Sequence, residues 1–356
     1  MNGSIFDLVT SANVVAYWLE KNVNEQLMLG ETLFPYVREI GVKLEWIKGA
    51  SNQPVGLRLS SYDAKAIRRD VQGIEEYTTK MPFFKESVYI DEDLRQQLNT
   101  VIQTNNKQLI YQILDKIFAR EIALIKASLI TLERMRIELL YAGTITLASN
   151  GQSYNYDFGI PVTQMLDVTD LTQDNKSWSN PKADIVAQIN EIKDLAKAQG
   201  ITLTRAICNS SVINYFAKNE NIKNQIYVLA GGSISSVSNA KALSFVEQET
   251  GITFYSYDNV YVDESGNAHK YYPDNTVTFI PDGTLGNTHM GVTPEESDLM
   301  SGYTGAQVRL VNNGVAVTTY GTDDPVNVET KVSMVALPSF ERANEVYVLD
   351  VDPTSN

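Results

Sequence analysis

The longest regular pattern of hydrophobic positions runs through residues 91–143. Apolar residues recur there every three or four positions, and no proline or glycine interrupts them before Gly143. A polar patch at residues 104–108 divides the pattern, so the sequence predicts one long helix from about residue 106 to residue 141. At about 1.5 Å per residue this helix spans about 54 Å, roughly the width of a small domain.

Three interpretations of this helix differ in what it buries. A coiled coil needs apolar residues at both seam positions, but a heptad started at Ile110 and Leu114 meets Glu121 and Ser128. A membrane span needs about 18 uninterrupted apolar residues, and charged residues recur along this stretch. We favour a long amphipathic rod that buries one face on a sheet and offers its other faces to solvent or partners.

Residues 1–41 are predicted to form an N-terminal arm with one short helix. Val14, Trp18 and Leu19 belong to the apolar face of this helix. A helix this short is not stable alone in water, so it must lie on its own domain or on a neighbouring subunit. The sequence leaves both possibilities open, and we predict Trp18 as a contact to a neighbour.

Residues 42–90 change to a strand pattern and then to a polar loop. Polar and apolar residues roughly alternate over 42–48 and again at 55–59, which predicts an antiparallel hairpin around a turn at 49–54. Residues 60–76 are mostly polar and lack an apolar core of their own. Loops of this kind are usually functional or bound to a partner.

Four side chains near this loop are candidates for contacts between subunits. Arg68 and Arg69 are either a solvated pair or a contact to another copy, because arginine forms forked bonds with carboxylates. Phe83 and Phe84 are expected to pack beneath the start of the long helix rather than to stack on a ligand. We predict all four, together with Trp18, as intersubunit contacts.

The second half of the chain predicts a separate domain. Asn-Gly at 150–151, between two short strands, is a strong hairpin signal, and another hairpin is expected around Gly314. Short strands and helices alternate over residues 201–322, which is typical of an α+β domain. The last two strands, at 330–337 and 345–351, are expected to return to the sheet beside the long helix.

Composition and charge narrow the class of protein. The chain has 356 residues, 43% hydrophobic and 20% charged, which suits one large or two ordinary soluble domains. A formal charge of −14 argues against tight nonspecific phosphate binding as its main task. Cys208 is the one cysteine, so no internal disulfide can form. The first residues also lack a signal-peptide pattern, and a reducing cytosol fits both observations.

Most sequence signatures of enzymes are missing. The histidines are His269 and His289, and the sequence has neither a Walker phosphate loop nor a Gly-x-Ser-x-Gly elbow. The glycine pair that begins at Gly231 lacks the lysine of a phosphate loop, and residues 258–266 lack calcium-loop spacing. His289 either orients a catalytic carboxylate or is structural. The sequence therefore indicates no catalytic residue, cofactor or metal.

Five short motifs occur in order along the chain. They are MPFFKES at 81–87, YPDNTV at 272–277, LGNTHMGVTPEE at 285–296, LPSFE at 337–341 and VYVLD at 346–350. Each is weak alone. Together with the order of arm, loop, long helix, α+β domain and closing strands, they resemble the major capsid proteins of tailed bacteriophages, specifically the gpE-like group with the fold first described for phage HK97.

This resemblance implies an α+β, HK97-like capsid fold. An N-terminal arm at 1–41 would precede an extended β-hairpin, the E-loop, at 42–90. A peripheral domain at 91–160 would hold the long spine helix beside an antiparallel sheet. A separate α+β axial domain would cover 161–322, and residues 323–356 would return as strands of the peripheral domain.

The resemblance also implies a structural function. The chain is expected to assemble with itself, through pentamers and hexamers, into an icosahedral head that encloses double-stranded DNA without reading its sequence. Scaffold, portal and decoration proteins are the implied partners, assembly would take place in the host cytoplasm, and no cofactor, membrane or catalysed reaction is implied. Because a shell multiplies the charge of −14, we expect an inner face that repels DNA and lets the genome slide.

Two other classes of protein remain open from the sequence. An encapsulin-like shell of a non-viral compartment would share the fold but carry a cargo-docking groove. A soluble small-molecule-binding protein or hydrolase would need a closed pocket with converging polar groups.

Overall fold

The computed structural model describes residues 5–21, 28–48, 75–104, 106–149, 151–172, 174–229, 236–263, 265–302, 307–323 and 326–353. The chain divides into two compact units. The first unit comprises Met1–Glu45, Thr78–Met135 and Asn287–Ser339, and the second comprises Trp46–Tyr77, Arg136–Gly286 and Phe340–Asn356. Each unit is therefore assembled from parts that are distant in sequence.

The described residues form both helices and strands. The helices are α1 (Ile5–Leu8), α2 (Ser11–Lys21), α3 (Leu29–Leu33), α4 (Glu92–Thr104), α5 (Lys107–Ala142), α6 (Ile185–Ala198), α7 (Ser210–Lys218), α8 (Glu220–Leu229), α9 (Asn239–Thr250) and α10 (Pro294–Ser301). The strands are β1 (Tyr36–Arg38), β2 (Lys43–Lys48), β3 (Glu75–Lys80), β4 (Phe83–Tyr89), β5 (Thr144–Ser149), β6 (Gln152–Asp157), β7 (Met165–Asp167), β8 (Arg205–Cys208), β9 (Thr253–Ser256), β10 (Val260–Val262), β11 (Ala268–Lys270), β12 (Thr276–Ile280), β13 (Thr288–Met290), β14 (Gln307–Val311), β15 (Val315–Asp323), β16 (Val326–Pro338) and β17 (Tyr347–Asp350).

The long helix predicted from the hydrophobic pattern is α5. The Asn106 side chain accepts a hydrogen bond from the Leu109 amide at 3.3 Å and so caps the helix within the polar patch. The helix continues for 36 residues, and Gly143 follows it with a positive φ of 68°. Glu121 and Ser128 lie on its buried face. The amphipathic interpretation is confirmed.

The first unit contains a six-stranded sheet with β16 at its centre. The strand order is β1-β13-β16-β15-β14, and β4 also pairs with β16. The pairs along β16 are antiparallel, whereas β1 joins β13 in parallel. Most of β16 is buried although its first half contains several polar residues, because a central strand is covered on both faces; its last five residues, 334–338, are all apolar.

The arm helix α2 lies on the first unit of its own chain. It packs against β14 and β15, and the Ser11 amide donates a hydrogen bond to Thr319 Oγ1 at 2.9 Å. Ser11, Val14 and Trp18 form its buried face. Of the two placements that the sequence left open, the structure therefore has the one on its own domain.

The second unit contains a five-stranded sheet in the order β7-β17-β12-β8-β9. The inner pairs are antiparallel, and the outer strands β7 and β9 join in parallel. Side chains of α6, α7, α8 and α9 contribute to the core of this unit. The aromatic rings of Trp178, Phe216, Phe254 and Phe279 follow one another in that core at centroid distances of 5.5, 5.3 and 6.3 Å.

Two hairpins predicted from turn residues are confirmed. β5 and β6 pair around Gly151, whose φ is 72°. β14 and β15 pair around the three residues Asn312, Asn313 and Gly314, whose positive φ angles of 46°, 59° and 147° are conformations that asparagine and glycine adopt more readily than other residues. Local turn chemistry was sufficient to place both.

Two strand pairings differ from the prediction. The closing strands do not return to one sheet: β16 is the centre of the first unit's sheet, whereas β17 pairs with β12 and β7 in the second unit. The hairpin β14–β15, expected in the axial domain, belongs to the first unit's sheet. Both errors concern pairings between distant segments, where an apolar strand alone does not specify its partner.

The strand β2 pairs with β3. The predicted return strand at 55–59 lies outside the described residues, as do the polar turn and most of the loop that follow β2. In the described part of the chain, no helix is long and apolar enough to cross a membrane.

Candidate intersubunit surfaces

Three side chains of the first unit form a hydrogen-bonded row that resembles the catalytic triad of a hydrolase. His289 Nδ1 lies 2.9 Å from Glu39 Oε1, and His289 Nε2 lies 3.0 Å from Ser339 Oγ. Adjacent strands bring them together, because Glu39 follows β1, His289 is in β13 and Ser339 follows β16. The order of serine, histidine and carboxylate is that of an activated nucleophile.

Because His289 and Ser339 are buried, this row of side chains is structural rather than catalytic. Ser339 has no exposed surface and His289 is 6% exposed, so a substrate carbonyl has no approach to the serine oxygen. Ser339 Oγ also accepts a hydrogen bond from the Asn287 amide at 3.3 Å. Of the two interpretations of His289, the structure favours the structural one, in which the side chain ties three strands together.

The other candidate chemical groups also have structural explanations. His269 is exposed on the hairpin β10–β11, where its ring stacks on Tyr261 and Nε2 lies 2.8 Å from Asp263 Oδ2. This hydrogen bond lowers the pKa of Asp263 to about 2. Burial raises the pKa of the Cys208 thiol to about 12, which keeps it protonated and unreactive.

A metal or small-molecule site finds little support in the described residues. Among them, no group of three or more His, Cys, Asp or Glu side chains lies close enough to hold a metal ion. An open groove of about 480 Å³ in the first unit is lined by Tyr36, Arg38 and Leu310, among others. Its cation, Arg38, already pairs with Glu296 and donates to the Gly291 carbonyl at 3.1 Å.

The strand β4 presents an exposed face beside β16. The side chains on one side of this strand are exposed. They are Phe83, Lys85, Ser87 and Tyr89, which we call the β4 face. Phe83 is 42% and Tyr89 67% exposed, and Lys85 Nζ lies 5.8 Å above the Phe83 ring. Among the described strands, β16 is the one that pairs with β4, so no described strand covers the opposite edge of β4.

The predicted contact residues have different outcomes. Arg68 and Arg69 lie outside the described residues. The expectation that Phe83 packs beneath the long helix is wrong, because Phe83 is exposed; Phe84, on the other face of β4, is partly buried. Their role as intersubunit contacts stays a prediction.

Trp18 requires a correction. It is 3% exposed because α2 turns it inward onto its own unit, so its ring has almost no surface for a neighbour. The exposed apolar residue of α2 is Leu19, which is 60% exposed. Sequence reasoning also missed Tyr89, although the alternation of Phe83, Lys85, Ser87 and Tyr89 along one strand could have identified it.

Comparison with known proteins defines the class first. The fold is similar to that of the putative capsid protein of a prophage of E. coli CFT073, with a TM-score of 0.55, 14% identity and coverage of 95% of this chain and 98% of that one. It is also similar to a phage-related protein from Bordetella bronchiseptica RB50, with a TM-score of 0.53, 9% identity and coverage of 95% and 97%. The chain therefore has the fold of phage capsid proteins.

The family follows from the sequence. A sequence model of the family described as phage major capsid protein E matches residues 11–351. The chain belongs to that family, and its function is that of a structural major capsid protein. No curated protein matches it. The family match favours the phage capsid function over the encapsulin-like compartment and over a hydrolase.

Proposed function

We propose that this chain assembles with itself, through pentamers and hexamers, into the icosahedral head of a tailed phage, around double-stranded DNA and without catalysing a reaction. The match of the family of phage major capsid protein E over residues 11–351 is the observation that carries the proposal. Assembly takes place in the host cytoplasm, with scaffold, portal and decoration proteins as partners. The acidic surface, with a formal charge of −14, keeps the packaged DNA mobile.

The proposal assigns a different domain of the capsid fold to each unit. The first unit is the peripheral domain, with α5 as its spine helix and residues 1–41 as its arm. The second unit is the axial domain around the centre of a pentamer or hexamer. The pairing of β2 with β3 supports an E-loop at residues 42–90, since these strands bring together the two ends of that segment.

Two surfaces make the contacts between copies. The β4 face offers aromatic rings beside an available strand edge, and aromatic residues are enriched where proteins associate. Arg68 and Arg69 supply forked contacts to carboxylates of a neighbour, and each copy carries 43 acidic residues.

The double charge reversal Arg68→Glu with Arg69→Glu tests the second surface. We expect it to impair shell formation and to leave the monomer folded, because it turns attraction to carboxylates into repulsion. Electron microscopy measures shells and circular dichroism measures folding. Normal shells from this variant would identify the pair as solvated charges.

Expression of the chain alone tests the function itself. We expect size-exclusion chromatography and negative-stain electron microscopy to show shells, tubes, or rings of five or six copies. A stable monomer at high protein concentration, even with a candidate scaffold protein added, would contradict the proposed function.

A further inference from the structure

The strand β9 forms one edge of the second unit's sheet. Among the described strands, β8 is the one that pairs with β9, so no described strand covers its outer edge. An uncovered edge presents backbone N–H and C=O groups that can pair with a strand of another molecule. The composition of β9 favours such pairing, because its four residues, TFYS, include two aromatic rings and a β-branched side chain.

The hydrogen bonds between β8 and β9 show which backbone groups of β9 face outward. The Thr253 amide donates to the Thr204 carbonyl at 3.0 Å. The Tyr257 amide donates to the Cys208 carbonyl at 2.8 Å. Successive residues of a strand direct their backbone groups to opposite edges. The amide of Phe254, which follows Thr253, therefore points to the outer edge.

A glutamate of the preceding helix occupies this outward donor. Glu247 Oε1 accepts a hydrogen bond from the Phe254 amide at 2.9 Å. Glu247 lies in the last turn of α9, and Gly251, with a φ of 68°, ends that helix two residues before β9 begins. This short connection holds the carboxylate at the strand edge. A hydrogen bond to a charged acceptor is about twice as strong as one between neutral groups.

The opposite edge of the sheet, formed by β7, has its own local acceptors. The Met165 amide donates to the Val162 carbonyl. The Asp167 amide donates to Asp170 Oδ2 at 2.9 Å. Both donors belong to alternate residues and bind groups outside the sheet, so they lie on the side of β7 that faces away from β17. At both edges, groups of the same chain therefore occupy donors that an added strand would need.

We infer that Glu247 blocks the outer edge of β9 against the β9 strand of a second copy of this chain. Two identical strands can pair antiparallel about a two-fold axis, and this pairing would place their exposed Tyr255 rings side by side. The incoming strand has to displace the carboxylate from the Phe254 amide. The contact therefore keeps separate chains from associating through the second unit's sheet. This function of Glu247 is independent of the proposed assembly into a shell.

Substitution of Glu247 tests the inference. Glu247→Ala frees the Phe254 amide, whereas Glu247→Gln keeps a side-chain oxygen that can accept its hydrogen bond. Glu249→Ala, which removes an exposed carboxylate from the same helix, is the matched control for charge. We expect Glu247→Ala to associate through β9, and the other two variants to behave like the wild type.

Disulfide crosslinking detects this association at one position. Tyr255→Cys is introduced into the wild type and into each variant, because Tyr255 is 47% exposed and the native Cys208 has no exposed surface. The backbone groups of Tyr255 face β8, so the two copies of position 255 would form a non-hydrogen-bonded pair. The Cα atoms of such a pair are about 4.5 Å apart, within the range of a disulfide.

The yield of disulfide-linked dimer is measured by non-reducing electrophoresis of unassembled chains, separated from particles by size-exclusion chromatography. We expect about tenfold more dimer from Tyr255→Cys with Glu247→Ala than from Tyr255→Cys alone, since pairing no longer breaks a hydrogen bond to a charged group. Glu247→Met, which keeps a long side chain but has no oxygen acceptor, should give the same increase. It replaces Glu247→Ala if circular dichroism shows that the alanine variant is unfolded.

The outcomes separate the inference from the proposed function. Equal dimer yields from folded chains with and without the Glu247 oxygen would overturn the inference, and so would a Glu247→Gln variant that dimerises as strongly as Glu247→Ala. Neither result changes whether the wild type forms shells. Conversely, a wild type that forms no particles contradicts the proposed function, while the comparison of dimer yields still decides the function of Glu247.

Discussion

The two units differ in the side chains that they bury and in those that they leave exposed. The second unit's core holds a row of aromatic rings, from Trp178 through Phe216 to Phe279, although this unit also buries Arg136. The first unit buries ionisable side chains beside its sheet, such as Glu121 and His289, and leaves the aromatic rings of the β4 face exposed. Under the proposed assembly the two features have different consequences: the row of rings should determine the stability of the folded chain, whereas the β4 face should determine association.

Glu121 illustrates the difference most clearly. Its Oε1 accepts a hydrogen bond from Thr330 Oγ1 of β16 at 2.9 Å, while its buried Oε2 has no hydrogen-bond partner in the described chain. Arg120, Tyr89 and apolar side chains of β4 and α4 line the small pocket around it. Burial raises the pKa of Glu121 from 4.5 to about 7, against the lowering effect of the Thr330 hydrogen bond.

The largest effect is expected from the second unit's aromatic core. Phe216→Ala should lower the free energy of unfolding by about 3–5 kcal/mol, because it removes a fully buried ring between two other rings. Chemical denaturation measures the loss. A loss below about 1 kcal/mol would mean that this core collapses around the cavity, and that the aromatic rings do not determine the stability of the second unit.

Protonation of Glu121 should give the next largest effect. The folded state holds the proton more tightly than the unfolded chain, so its stabilisation is complete below pH 4.5 and is lost as the pH rises through about 7. At 1.36 kcal/mol per pH unit, this difference is worth up to about 3 kcal/mol. Glu121→Gln should therefore be more stable than the wild type at pH 8 and should flatten the pH dependence.

Denaturation at several pH values between 4 and 8 measures this effect. Glu86→Gln, which removes an exposed carboxylate from β4, is the matched control and should keep the wild-type pH dependence. Identical pH profiles for the two variants would show that Glu121 does not determine the pH response of the first unit.

The hydrogen-bonded row of Glu39, His289 and Ser339 should have a smaller effect on the free energy of unfolding. Ser339→Ala removes the hydroxyl beside His289 Nε2 and should lower the free energy of unfolding by about 1–2 kcal/mol. Ser87→Ala, on the exposed β4 face, should change it by less than about 0.5 kcal/mol. Equal effects of the two substitutions on the denaturation midpoint would contradict the structural function assigned to Glu39, His289 and Ser339.

The smallest effect on folding should accompany a large effect on assembly. Phe83→Ser with Tyr89→Ser removes the rings of the β4 face, and because both are exposed the unfolding free energy should change by less than about 1 kcal/mol. Particle yield in electron micrographs should nevertheless fall strongly. Tyr154→Ser with Tyr255→Ser, at exposed rings of the second unit, serves as the comparison variant. If it impairs assembly more, the contrast between the units is reversed.

Elements that depend on neighbouring residues could be predicted from the sequence. The bounds of α5 follow from its apolar periodicity and the Asn106 cap, and the turn at Asn312 and Asn313 follows from side chains that tolerate positive φ. The partner of β17 could not be predicted, because its apolar residues suit either sheet. The sequence also did not show that β3 would pair with β2, because the residues of β3, EEYTTK, are mostly polar and lack an apolar alternation.

The contact surfaces were harder to predict than the fold. Trp18 was assigned to a neighbour because the sequence shows an apolar face without showing what covers it, and α2 buries it within its own unit. Glu121 and Ser128 argued against a coiled coil, yet both are buried: the Thr330 hydroxyl donates to one carboxylate oxygen of Glu121, and the Ser128 hydroxyl donates to the Ile125 carbonyl. Such pairings arise from tertiary structure and leave no local signal.

Hydrogen exchange of the unassembled chain and of the assembled particle tests the central claim most directly. The account predicts that assembly slows amide exchange in β4, whose exposed face we propose as a contact between copies, and leaves exchange in the aromatic core of the second unit almost unchanged. Particles whose β4 amides exchange as fast as those of the unassembled chain would contradict it.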